Sequence, residues 1–162
     1  MEKPIALYAG SFDPVTNGHL HIIRRARKIF GSVAVVVMTN GSKKNLFSAQ
    51  ERVELLKKVT QDWAGVSVHS AAGLAVDFAR QIGATVLVRG VRGAADCDAE
   101  MTQAYYNRLF GPELETVFLP TDETYQYISS SSVREVARCG GDLSTLVPEI
   151  VAQAIAQKLQ AH

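Results

Sequence analysis

The chain has 162 residues, 47% of them hydrophobic and 20% charged, a balance that fits one packed domain over 1–162 and excludes an intrinsically disordered chain. Its 17 lysines and arginines against 16 acids leave a net charge of +1, which gives no basis for wrapping a long nucleic acid, so any phosphate-bearing partner must be small and held locally. No apolar run approaches the ~20 residues that cross a bilayer, no signal-peptide pattern stands out, and Cys97 and Cys139 form no C-x-x-C pair, so a reducing cytoplasm without a membrane partner is the expected setting.

Along the chain, short β-branched runs alternate with helical patterns. Ile5–Ala9 predicts a first strand, and the Gly10-to-Gly18 turn leads into a helix over His19–Phe30. A second strand, Val33–Met38, precedes the capping box Ser48-Ala-Gln-Glu51 and a helix over Ala49–Thr60. Val66–Ser70 is followed by a helix over Leu74–Ile82 that Gly83 ends; Val86–Val88 is followed by one over Ala95–Phe110 that Gly111-Pro112 ends. The fifth strand, Thr116–Leu119, leads to helices predicted over Ser132–Arg138, behind a second capping box Ser132-Val-Arg-Glu135, and over Pro148–Gln160. "VAVVVM" and "TVLV" are apolar on both faces, which suits strands covered on both sides. The expected fold is therefore α/β: a single Rossmann-like, doubly wound sheet of about five parallel strands with helices on both faces.

Open parallel sheets bind ligands at the carboxyl ends of their strands, and those ends are chemically biased here. Gly10-Ser11-Phe12-Asp13-Pro14 follows the first strand, Thr39-Asn40-Gly41-Ser42-Lys43-Lys44 the second, Arg89-Gly90-Val91-Arg92-Gly93 the fourth, and Pro120 through Ser132 the fifth. Glycines, hydroxyls and cations recur on one rim. The helix opening near His19 offers unpaired N–H groups and a positive dipole end that suit an anion, although Thr16-Asn17-Gly18 also reads as a plain turn and cap. His19 and His21 stand two apart and do not share a helix face, which disfavours a transition-metal site. Lys43 and Lys44 could reach a phosphate or stay solvated. Arg89 continues a strand that should be buried, so its charge needs either an anionic ligand with Arg92 or an ion pair with Asp96, Asp98 or Glu100. Of the serines before the next helix, one suffices for a cap, which leaves Ser129, Ser130 and Ser131 free to donate to phosphate or to form a polar loop. No G-x-G-x-x-G or Walker A motif is present.

Thr16-Asn17-Gly18-His19 resembles the (H/T)-x-G-H signature of the nucleotidylyltransferase superfamily. Together with "RGVRGAADCDAEMTQAYYNR" and "YISSSSVREVA", it makes the chain, nearly end to end, similar to the bacterial phosphopantetheine adenylyltransferase family. The resemblance implies transfer of AMP from ATP to 4′-phosphopantetheine, giving 3′-dephospho-coenzyme A and pyrophosphate with Mg²⁺ carried mainly on the ATP phosphates. It implies a homohexamer, with coenzyme A as a candidate inhibitor. His19 would stabilise the transition state alongside Lys43 and Arg89. Ser11, Lys43, Ala75 and Arg89 would bind phosphopantetheine. ATP would meet Ser11, Phe12, His19, Gly90, Val91, Arg92 and Glu100, then Tyr125, Gln126, Tyr127, Ile128, Ser129, Ser130 and Ser131.

Such a reaction needs no side-chain nucleophile, because the incoming phosphate attacks and pyrophosphate leaves, so positioning and charge stabilisation remain for the protein. A nearby triphosphate is expected to favour a charged His19. Ser11 stands where the family often has threonine, and Ala75 is smaller than the usual residue, so a contact there would run through the backbone. A nucleotidylyltransferase with another acceptor or CTP, and a non-catalytic nucleotide sensor, are the alternatives.

Overall fold

The computed structural model describes residues 4–39 and 44–160. Five strands, β1 (Ile5–Gly10), β2 (Ser32–Thr39), β3 (Val66–Ala72), β4 (Val86–Val91) and β5 (Glu115–Pro120), form one sheet in the order β3-β2-β1-β4-β5. Every pairing is parallel. The helices are α1 (Asn17–Phe30), α2 (Ala49–Thr60), α3 (Ala75–Ile82), α4 (Ala94–Phe110), α5 (Ser130–Arg138) and α6 (Glu149–Gln160). The expected α/β architecture is the one that forms.

Alternation along β1 shows why both faces need cover. Ala6 and Tyr8 point into a core shared with Ile23 of α1, Leu56 of α2, Val133 of α5 and Ile155 of α6. Leu7 and Ala9 point into a second core with Val76 and Ala79 of α3. Each strand that is apolar throughout thus serves two layers.

Several boundaries differ from the sequence reading. β4 continues through Arg89, Gly90 and Val91, which pair with Phe118, Leu119 and Pro120, because a neighbouring strand supplies hydrogen bonds that residue type does not announce. Helix α1 begins at Asn17 and is capped by Thr16. Helix α5 begins at Ser130, two residues earlier than expected, because Ser129 is the cap: its Oγ accepts from the Ser132 N–H at 3.0 Å, and the Ser132 hydroxyl accepts from the Ser129 N–H at 3.0 Å. The box predicted from Ser132 to Glu135 is therefore displaced by one turn. The box at Ser48 and Glu51 forms as expected.

Candidate active site

The strand order reverses between β1 and β4, which lie side by side while their connections run to opposite edges. That is where a doubly wound sheet opens a crevice, and a cavity of about 280 Å³ occupies it. Its floor is the carboxyl end of β1 and β4, its walls the starts of α1 and α5 and one face of α4. Gly90 lets α1 lie close to that floor, since a Cβ there would come within 2.9 Å of Ile22.

His19 sits at the third position of α1 and completes its cap. The Thr16 N–H donates to Nδ1 at 3.0 Å, and Thr16 Oγ1 lies 3.1 Å from the same nitrogen while accepting from the His19 N–H at 3.3 Å. Because a backbone N–H can only donate, Nδ1 must carry a lone pair and Nε2 the proton. The cap therefore selects the tautomer. Nε2 has no protein partner among the described residues, and the ring lies against the edge of Phe12 with centroids 5.0 Å apart. Phe12 holds a positive φ of 48° while only 2% exposed, a strained conformation that its buried ring keeps in place. Loss of water, then Arg92 and Arg89, lower the His19 pKa to about 4. The imidazole is thus neutral at pH 7 in this structure, because burial and two guanidinium groups act on it; the charged form expected from sequence belongs to a state with a triphosphate beside the ring.

Those guanidinium groups are themselves held. Arg89 Nε and Nη2 donate to Glu100 at 2.5 and 2.7 Å, and Nη1 donates to the Ala9 carbonyl of β1 at 2.7 Å. Arg92 grips Asp96 through Nε at 3.2 Å and Nη2 at 3.1 Å. Burial works against the Arg89 charge, but the bonds and field of Glu100 more than offset it and hold the guanidinium protonated. The Arg92 contact, in turn, holds the Asp96 carboxyl below its ordinary range. Of the two readings open for Arg89, the ion pair is the one the structure contains, with Glu100 as the partner, and the paired guanidinium also lines the cavity. Asp96 and Glu100 are one turn apart on α4, so a single helix face aims both arginines.

Burial pushes the phenol of Tyr8, on the cavity floor, well above its usual range, so it is a neutral donor. Opposite, the N-terminus of α5 brings Ser129 and Ser130 to the wall beside Ile128 and Tyr125. The Ser129 hydroxyl is used as the cap and Ser130 Oγ donates to the Pro14 carbonyl at 2.8 Å, so neither is surplus; what the helix mouth offers an anion is its backbone N–H groups. Tyr125 stacks on His21 with ring centroids 5.0 Å apart.

The structure brings Ser11, Phe12, His19, Arg89, Gly90, Arg92, Glu100, Tyr125, Ile128, Ser129 and Ser130 to one cavity. Other candidates lie off its lining. Val91 pairs with Pro120 in the sheet, Tyr127 is 85% exposed, Gln126 closes a turn onto the Glu123 carbonyl, Ser131 is exposed, and Ala75, the first residue of α3, packs against the second core. Lys43 falls outside the described residues. Tyr8, Ile22 and Thr121 line the cavity without having been singled out; the only hint for Tyr8 was a polar tip within an otherwise apolar run.

A crevice of this chemistry at the switch point of a doubly wound sheet suits a nucleotide, and the cytidylyltransferase-like family profile, a nucleotidyltransferase class, matches residues 7–136: the chain belongs to that family. Within it, the chain is 46% identical over 158 residues to phosphopantetheine adenylyltransferase of Finegoldia magna, covering 98% of each chain. It is also 46% identical over 154 residues to the phosphopantetheine adenylyltransferase of Alkaliphilus metalliredigens, covering 95% of this chain and 98% of the relative. A crystal structure from Vibrio parahaemolyticus, described as a candidate nicotinate-nucleotide adenylyltransferase, superposes with a TM-score of 0.68 at 17% identity over 98% of this chain and 93% of that one. At that identity it bears on the fold alone.

Proposed function

We propose that this chain transfers the adenylyl group of ATP to the phosphate of 4′-phosphopantetheine. The phosphopantetheine phosphate oxygen attacks the α-phosphorus of ATP, a new P–O bond forms, the bond to the β-phosphate bridging oxygen breaks, and pyrophosphate departs with its electron pair. The products are 3′-dephospho-coenzyme A and pyrophosphate. The observation that carries this reading is the meeting of His19, Arg89, Arg92 and two helix N-termini in one cavity of a chain so similar, end to end, to phosphopantetheine adenylyltransferases.

The cavity-lining groups have roles that their geometry suits, and the residues off the lining are assigned from the family resemblance alone. The His19 Nε2–H, fixed in orientation by the Thr16 cap, donates to a non-bridging oxygen of the α-phosphate as charge spreads there. Its neutrality is no handicap, since donation needs the proton and not the net charge. Arg89 faces the acceptor phosphate and Arg92 the triphosphate, with Asp96 and Glu100 orienting them; Lys43 is assigned to the acceptor side with Ala75, whose backbone would make the contact. Ser11 and Phe12 border both substrates. Gly90, Val91 and the stretch Tyr125–Ser131 take the nucleoside and its phosphates. Mg²⁺ is assigned to the ATP phosphates, where it would neutralise charge on the departing pyrophosphate.

The enzyme is assigned to the cytoplasm as a homohexamer, with coenzyme A as an inhibitor competing for the cavity. Assembly is supported by α4, which has no buried residue and exposes Met101, Tyr105, Leu109 and Phe110. The test is pyrophosphate release with ATP, Mg²⁺ and 4′-phosphopantetheine, with product mass measured and nicotinamide mononucleotide and CTP run in parallel. Turnover only with phosphopantetheine and ATP is expected. Turnover with a different acceptor, or none at all, would overturn the reading.

A further inference from the structure

Of the residues that touch the cavity, Ser130 ties its two walls together through the Pro14 carbonyl. The other ties lie behind the lining, around Asp13. This residue is 3% exposed, and its two carboxylate oxygens accept from the Leu46 N–H at 2.8 Å and the Phe47 N–H at 2.9 Å. Arg134 of α5 brings Nη1 to 3.7 Å from the same carboxylate and donates to the Asp13 carbonyl. Arg52 of α2, also 3% exposed, donates to the Ser11 carbonyl at 2.8 Å and the Ser48 carbonyl at 3.3 Å. The Ser130 hydroxyl holds the Pro14 carbonyl. The segment between β1 and α1 is therefore tied to the entry of α2 on one side and to the mouth of α5 on the other.

A buried carboxylate is a costly way to close a turn, because desolvating the charge is unfavourable unless paired donors offset it. Asn or Ser would satisfy a turn without that demand. What the carboxylate adds is two acceptors and a charge that can serve three segments at once. We propose that Asp13 is a positioning residue for adenylyl transfer: through Leu46, Phe47 and Arg134 it fixes the loop bearing Ser11 and Phe12, and hence His19, relative to the helix mouth at Ser129 and Ser130. The proposal rests on the reading of this cavity as the adenylyl-transfer site.

The experiment compares the full-length wild type with Asp13→Asn, Arg134→Met and the double variant, measuring kcat, KM for ATP, ATP affinity by calorimetry, and thermal melting. A carboxamide accepts from only one of the two N–H groups, so the loop shifts. A displacement of ~1 Å at reacting groups costs about 10²-fold, and a loss of that order in kcat/KM for ATP is expected from Asp13→Asn at temperatures where it remains folded. ATP affinity should weaken at least tenfold in both single variants, and the double variant should be little worse than Asp13→Asn alone, since both substitutions break one unit. A lower melting temperature with unchanged ATP affinity and KM, and a kcat reduced only by the unfolded fraction, would overturn the proposal. Should Asp13→Asn fail to fold, Arg134→Met decides: wild-type KM and affinity overturn it, while a loss that Arg134→Lys partly restores supports it. If the wild type does not adenylylate phosphopantetheine, the functional reading fails, yet the calorimetry still tests the role of Asp13 in ATP binding.

Discussion

Replacing His19 separates two jobs that the ring performs at once. Its Nδ1 accepts from the Thr16 N–H at 3.0 Å, and its Nε2–H is the donor available to a phosphate. His19→Ala removes both. Loss of a donor aimed at developing charge typically costs 10²–10³ in kcat, or about 2.7–4 kcal/mol, while leaving a partly buried Thr16 N–H unpaired costs about 1–3 kcal/mol of stability. For a chain of this size each kcal/mol lowers the melting temperature by about 2–4 °C. The two effects can be dissected. Asparagine places an oxygen where Nδ1 was, so His19→Asn should regain most of the lost melting temperature yet keep the kcat defect. Glutamine carries an amide donor further out, near the position of Nε2, so His19→Gln should recover part of kcat without the cap. Steady-state kinetics with both substrates saturating, alongside thermal melts, read all three variants. An Asn variant within tenfold of wild-type kcat, or an Ala variant whose loss falls wholly in KM for ATP, would refute the assignment of Nε2 as transition-state donor.

Arg89→Ala should raise KM for phosphopantetheine by at least tenfold with a smaller effect on KM for ATP, measured with each substrate varied in turn; equal changes in both would contradict its assignment to the acceptor side. The lowered pKa of His19 predicts that its ring stays neutral as pH falls past the ordinary histidine value of ~6.5, taking a proton only near about 4. The sign follows from linkage: the unfolded chain binds that proton first, so this residue's contribution to stability is complete above ~6.5 and is lost as pH falls from there to about 4. A ring nitrogen NMR titration with a midpoint near 6.5 would refute it. Gly65→Ala should destabilise the fold without touching the kinetics of the folded fraction, because Gly65 has φ of 79° and an added Cβ would lie 2.4 Å from the Gly31 carbonyl oxygen; a melting temperature within one degree of wild type would show the β2–β3 edge to be more compliant than the structure indicates.

The sheet was legible in the sequence because unbroken runs such as Val33–Met38 leave few alternatives to a doubly covered strand. The cavity was legible from where the glycines, arginines and serines fall relative to strand ends, and the resemblance to a family then attached roles to them. Strand and helix ends were less so. Arg89 and Gly90 look like loop residues until β5 is seen beside them, and a run of four serines does not say which one will cap, since that depends on where the incoming chain is pinned; here Ser130 is held to Pro14 across 116 positions of sequence. The ionisation of His19 could not be read without knowing that the ring is buried and that Arg92 and Arg89 come close to it. Asp13 was passed over for a related reason: its partners, Leu46, Phe47 and Arg134, are distant in sequence and two of them contribute only backbone.

The strand order β3-β2-β1-β4-β5 also has a bearing on biosynthesis. One wall of the crevice is complete in sequence by Leu20, whereas the facing helix mouth begins only at Ser130. At ribosomal rates of 5–20 residues per second, roughly 110 intervening residues take about 6–22 s to emerge. Until β4 emerges partway through that interval, β1 can pair with β2 but has an open flank, so the central strand of the finished enzyme is, for a time, an edge in need of protection.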